Sequence, residues 1–155
     1  MNYKNIYSKL AGMVLLFIII NVQPAQSQEK PLYERLGGIY SIAAVVDDFI
    51  EALLVDDILN SNAKIKEARE RVPKAGLKYQ VTALVCEATG GPCKYTGRSM
   101  KESHQNLDIT GKEWDEMAAV FKKVLDKYKV PEKEQKELFD IVGTTKNDIV
   151  KYPDK

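Results

Sequence analysis

His104 is the only histidine among 155 residues. It closes the segment Tyr95-Thr96-Gly97-Arg98-Ser99-Met100-Lys101-Glu102-Ser103-His104. A neutral imidazole can ligate a metal through one ring nitrogen while the other makes the hydrogen bond that orients the ring. One histidine cannot form a two-histidine clamp or a histidine-rich zinc site. Any imidazole–metal chemistry in this chain therefore falls to His104. A lone histidine is more often a surface or cap residue, and the residue by itself leaves both readings open.

Cys86 and Cys93 are the only cysteines and flank Gly90-Gly91-Pro92. They can pair if their Cα atoms come within about 7 Å. Otherwise they are two small buried hydrophobes. The spacing leaves both outcomes open.

These residues need helices to position them. Ile42, Val45, Val46, Phe49, Ile50 and Leu53 recur three and four apart, which predicts a helix over 39–54. Asp56-Asp57 and Asn60-Ser61-Asn62 predict a turn region. A short helix over 64–72 should end at Pro73. The next helix carries Leu77, Val81, Leu84, Val85 and Ala88 on one stripe, bordered by Gln80, and Gly90-Gly91-Pro92 stops it. Ser99 is a fair N-cap for a short helix reaching His104, with Met100 and His104 on one face. Thr110 and Glu113 form a capping-box pattern ahead of Trp114, Met117, Ala118, Phe121, Val124, Leu125 and Tyr128. Pro131 suits the first turn of a last helix that buries Leu138, Ile141, Val142, Thr145 and Ile149. No strand-like alternation of useful length and no internal repeat is present. The fold class is all-α.

The first 27 residues read differently. Lys4 and Lys9 precede an apolar run over 10–20, and Ala25-Gln26-Ser27 places small residues where a signal peptidase reads. That is the pattern of a secretory signal peptide, with the domain occupying 28–155. The apolar run is short for a membrane span, so an uncleaved anchor is the weaker reading. The expected location is the periplasm or the cell exterior. The chain carries 23 Lys and Arg against 22 Asp and Glu. The near balance persists without the leader, which holds two lysines and no acid. It argues against a nucleic-acid partner, because phosphate binding needs an excess of cations.

The order of these pieces resembles a truncated haemoglobin of group I, the short globins that keep a two-over-two helical sandwich. Leu32-Tyr33-Glu34-Arg35-Leu36-Gly37-Gly38 resembles that family's opening. Val46-Asp47-Asp48-Phe49 resembles the middle of its first long helix. Gly90-Gly91-Pro92 and Tyr95-Thr96-Gly97 resemble the second double glycine and the loop before the proximal helix. Ser99 to His104 resembles the proximal segment, and Val130-Pro131 fits the start of the last helix. The likeness spans about residues 31–150.

The resemblance implies one haem b with His104 as the iron ligand. The chain has no Cys-x-x-Cys-His, so attachment of the c type is not expected. It implies a slot lined by Phe49, Tyr95, Met100, Trp114, Met117 and Val142. It also implies a diatomic ligand such as O2, NO or CO. Two positions depart from the family. Ile50 stands where many members place a distal tyrosine, and Asn62 or Ala63 stands where they place a corner phenylalanine. Gln80 is then the best remaining distal hydrogen-bond donor and Tyr79 the second. An ungapped alignment from the proximal side puts Leu77 and Val81 over the iron instead. Two other functions stay open. One is a haem enzyme, NO-detoxifying or peroxidase-like, that takes electrons from a separate donor. The other is a haem-free helical scaffold of the export compartment.

Overall fold

The computed structural model of the protein describes residues 29–153. The leader and the cleavage point read from the sequence lie outside the described residues, as do the last two positions.

Nine helices run through the described residues. They are α1 (Leu32–Arg35), α2 (Gly38–Val55), α3 (Asp57–Asn60), α4 (Ala63–Arg71), α5 (Lys74–Ala88), α6 (Met100–His104), α7 (Gly111–Lys127), α8 (Glu132–Gly143) and α9 (Lys146–Ile149). Of the four longest, α2 packs closely against α5 and also against α7, and α7 meets α8 through the side chains of Phe121, Leu125, Leu138 and Phe139, in a two-over-two sandwich. The only extended pairing among the described residues is one isolated parallel bridge between Thr110 and Tyr152.

The helices start where their capping chemistry places them. Ser99 and Glu102 form a reciprocal capping box on α6, and Thr110 and Glu113 form another on α7. Each box satisfies two backbone N–H groups that a helix start leaves unpaired. Gly37, the N-cap of α2, has φ +87°, a conformation costly for any residue with a Cβ. Pro131 is the N-cap of α8 rather than its first residue.

Two clusters make the core. Ile42, Val46 and Ile50 of α2 pack with Leu77, Val81 and Val85 of α5. Leu32, Phe121, Leu125 and Leu138 join α1, α7 and α8, with Phe49 and Val142 at the margin. Phe121 bridges the layers, its ring centroid 5.1 Å from Phe49 and 5.3 Å from Phe139.

Two expectations need correction. The turn region after α2 holds a helical turn, α3, because Asp56 accepts a hydrogen bond from Leu59 N at 2.9 Å and caps it. The last helix is not continuous through Ile149. It stops at Gly143 and resumes as α9 at Lys146. The hydroxyls of Thr144 and Thr145 each donate back to a carbonyl three residues earlier, Ile141 O and Val142 O, both at 2.7 Å. Such bonds compete with the helix ladder at that point.

Cys86 and Cys93 are joined in a disulfide, with Cα atoms 5.7 Å apart. The sequence left this open. The turn between them decides it: a Cβ on Gly91 would sit 2.7 Å from both Cys86 O and Cys86 Sγ, so only glycine lets the chain fold back this closely. Closing a loop of this length should stabilise the fold by about 2.5 kcal/mol through the unfolded chain. Cys93→Ser is therefore expected to lower the unfolding free energy by about 2 kcal/mol in denaturant titrations. A loss below about 0.5 kcal/mol would show that the bond adds nothing to stability.

Candidate functional site

A cavity of about 850 Å³ opens between α2, α4, α5, α6, α7, α8 and α9. Its size suits a cofactor-sized molecule. All eleven residues proposed from the sequence line it: Phe49, Ile50, Leu77, Gln80, Val81, Tyr95, Met100, His104, Trp114, Met117 and Val142. They arrive from five helices and one loop.

His104 ends α6, whose N-terminus is held by the Ser99–Glu102 box. Its ring Nδ1 lies 2.7 Å from Met100 O, one helical turn back. The carbonyl can only accept, so Nδ1 carries the proton and Nε2 keeps a free lone pair. Burial holds the imidazole pKa below its ordinary 6.5, and the nearby Arg98 charge adds to this against the opposing Met100 hydrogen bond. The ring is thus neutral at physiological pH, as a metal ligand must be. The sequence could not name the Nδ1 partner, because it is a main-chain atom.

The loop from Pro92 to Arg98 makes no backbone-to-backbone hydrogen bond among the described residues. It is tethered instead by the disulfide at Cys93, by Tyr95 N donating to Glu87 Oε2 at 3.1 Å, and by Tyr95 Oη donating to Arg98 O at 2.6 Å. Tyr95 therefore lines the cavity and folds the loop back on itself.

The walls from α2 and α5 are almost wholly apolar. Val46, Phe49, Ile50, Leu53 and Leu54 come from α2. Ile50 is 4% exposed and cannot donate a hydrogen bond. On α5, Leu77, Gln80, Val81 and Leu84 share one face, since residues three and four apart lie side by side. Both alignments of this helix therefore reach the cavity at once. Gln80 Oε1 is buried without a hydrogen-bond partner, the only such side-chain atom among the described residues. An unpaired buried amide oxygen costs about 1–3 kcal/mol, and it can only accept; the donor of this side chain is Nε2, which faces the slot once the amide turns over. Tyr79, the second donor considered, is 66% exposed and turns to solvent, because its neighbour Gln80 takes the inward position.

Trp114 is 7% exposed on the first turns of α7, with the Lys146 ammonium 5.8 Å from its ring centroid. Arg98 also lines the cavity, and its guanidinium makes no ion pair among the described residues. The sequence reading passed over it. Its signal was a cation in the loop six positions before His104, between Gly97 and the capping Ser99. Arg69, likewise on the wall, is committed to carbonyl oxygens of Leu53 and Leu54 and to Asn60.

At the corner before α4, Asn62 works with both ends of its amide. Its Oδ1 accepts from Lys64 N at 2.9 Å and Ile65 N at 3.3 Å, capping α4. Its Nδ2 donates to Leu107 O at 2.9 Å, just past the end of α6.

The residues present fit a haem. An apolar slot carries one neutral imidazole, one amide able to turn a donor inward and one cation without an ion-pair partner among the described residues, which suit an iron, a polar ligand and an acidic arm respectively. Helical sandwich and slot together define a short globin. The chain belongs to the bacterial-like globin family, whose model it matches over residues 31–151. It is 34% identical to the group 1 truncated hemoglobin GlbN of Synechocystis sp. over 105 residues, which are 65% of this chain and 80% of that protein. The 2/2 hemoglobin of Synechococcus sp., solved in the cyanomet state with covalently attached heme, superposes with a TM-score of 0.68 at 26% identity, covering 78% of this chain and 98% of that one. The truncated hemoglobin of Tetrahymena pyriformis shares the fold, with a TM-score of 0.69 at 22% identity over 78% of this chain and 98% of its own.

Proposed function

We propose that this truncated globin binds one haem b in the cavity, with His104 Nε2 as axial ligand, and takes up a diatomic ligand, O2, NO or CO. The observation that carries the proposal is one cofactor-sized apolar cavity holding a neutral imidazole whose Nδ1 is bonded to Met100 O and whose Nε2 is free. The haem, when bound, supplies the iron centre that takes the ligand. His104 provides the nitrogen, and Met100 O fixes its tautomer. With its amide turned so that Nε2 faces the slot, Gln80 would donate a hydrogen bond to a polar ligand, in place of the tyrosine that Ile50 displaces. Arg98, on the cavity wall without an ion-pair partner among the described residues, would pair with an acidic arm of the haem. The apolar walls exclude water from the slot. Electrons that keep the iron ferrous come from a separate donor. The test is the absorption spectrum of the purified protein, oxidised, dithionite-reduced and under CO. A haem b spectrum that responds to CO is expected, and absence of a Soret band after haem is supplied would overturn the reading.

Export belongs to the same proposal. The leader pattern supports it, and a disulfide suits an oxidising compartment. The native protein is expected to begin near Gln28. N-terminal sequencing checks this, and recovery of an intact Met1 from a soluble cytosolic fraction would refute it.

A further inference from the structure

We infer that Asn62 is a positioning residue for the His104 segment, a polar clasp that ties the wall above the slot to the wall carrying the imidazole. This rests on the haem reading of the same cavity.

Helix α6 is only five residues long, and a helix so short cannot hold its own shape. Its start is fixed by the Ser99–Glu102 box. Its end runs into a turn in which Leu107 N donates to His104 O at 2.9 Å. The other side of that peptide chain, Leu107 O, receives Asn62 Nδ2 at 2.9 Å. A single side chain therefore links the first turn of α4 to a residue that is itself bonded to His104. Leu107 also lines the cavity, as do Ile65 and Ala68 of α4. The next residue, Asp108, has φ +50° and pairs with Lys64 of α4 and, at 2.6 Å, with Lys151. The segment after the imidazole is thus gripped from α4 by two residues, Asn62 inside and Lys64 outside.

The two functions of Asn62 can be separated. Asp and Ser cap a helix about as well as Asn does. Neither reproduces the Nδ2 donor: Asp offers only acceptors, and Ser is too short. Asn62→Asp and Asn62→Ser therefore keep the cap and open the clasp. Asp56→Ala serves as control, since it removes the cap of α3 at the same end of the cavity, is not itself a lining residue and leaves the Asn62–Leu107 bond in place. The readouts are the rate of haem transfer to an excess of an apoglobin acceptor and the iron–histidine stretching band of the ferrous protein.

Both Asn62 variants are expected to release haem roughly tenfold faster, the worth of one part-buried hydrogen bond. Both should also shift or broaden the iron–histidine band. Asp56→Ala should leave the band and the rate as in wild type. Wild-type values in both Asn62 variants would overturn the inference. So would the same changes in Asp56→Ala, because the effect would then be general loss of stability. Failure of the haem reading would look different, since the wild-type protein would itself lack the band.

Discussion

His104→Ala is expected to eliminate the spectrum of a histidine-ligated haem b. No second imidazole exists in the chain to take over. The free lone pair on Nε2 is available because Nδ1 is bonded to Met100 O at 2.7 Å, and alanine removes both nitrogens together. The half-buried ring contributes modestly to the fold, so the apoprotein should lose on the order of 1 kcal/mol and keep its helical circular dichroism. Loss of the ligand is then distinguishable from loss of the fold. The measurement is the Soret region of ferrous and ferrous–CO protein after reconstitution. Either no stable haem or a shifted, non-histidine form is expected. A ferrous–CO spectrum unchanged from wild type would sink the assignment of His104.

Gln80→Leu should raise the O2 off-rate roughly tenfold to a hundredfold and leave the CO off-rate nearly unchanged. Gln80 is the polar side chain on the α5 wall, its Oε1 buried without a partner, and turning the amide brings the Nε2 donor to the slot, whereas Ile50 on α2 cannot donate. O2 in such a site carries partial negative charge, and a hydrogen bond to a charged acceptor is worth about 1.5–3 kcal/mol. At about 1.4 kcal/mol per decade this gives one to two decades, provided rebinding is unchanged. CO is far less polar and should barely respond. Stopped-flow ligand replacement measures both rates. If Ile50→Tyr slows O2 release while Gln80→Leu changes nothing, the amide takes no part. Equal responses of O2 and CO would show that access rather than hydrogen bonding controls the site.

The helices that build the cavity were legible because each carries an apolar stripe at helical spacing. Phe49 and Ile50 on α2, Trp114 and Met117 on α7 and Val142 on α8 could be placed inward from periodicity alone. The starts of α6 and α7 were legible for a similar reason. Ser99 with Glu102 and Thr110 with Glu113 satisfy backbone groups three residues away, which is local chemistry. The break between α8 and α9 was missed for the converse reason. The apolar spacing continues through Ile149, and only the back-bonding of Thr144 and Thr145 shows where the ladder yields.

By itself, then, the sequence determined the fold class, the stripes that face inward and the one residue able to offer an imidazole. These depend on interactions within a turn or two of helix, and a pattern of residue types records them. The tertiary structure decided the rest. It turned Gln80 inward and Tyr79 outward, gave His104 Nδ1 its main-chain partner, joined Cys86 to Cys93 and set Asn62 against Leu107. It also left Arg98 on the cavity wall without an ion-pair partner among the described residues. Each of these depends on a helix's rotation about its axis, on a backbone atom or on a contact across the fold. Residue types and spacing encode none of the three directly, because they are fixed only when the helices pack and every buried polar group must find a partner.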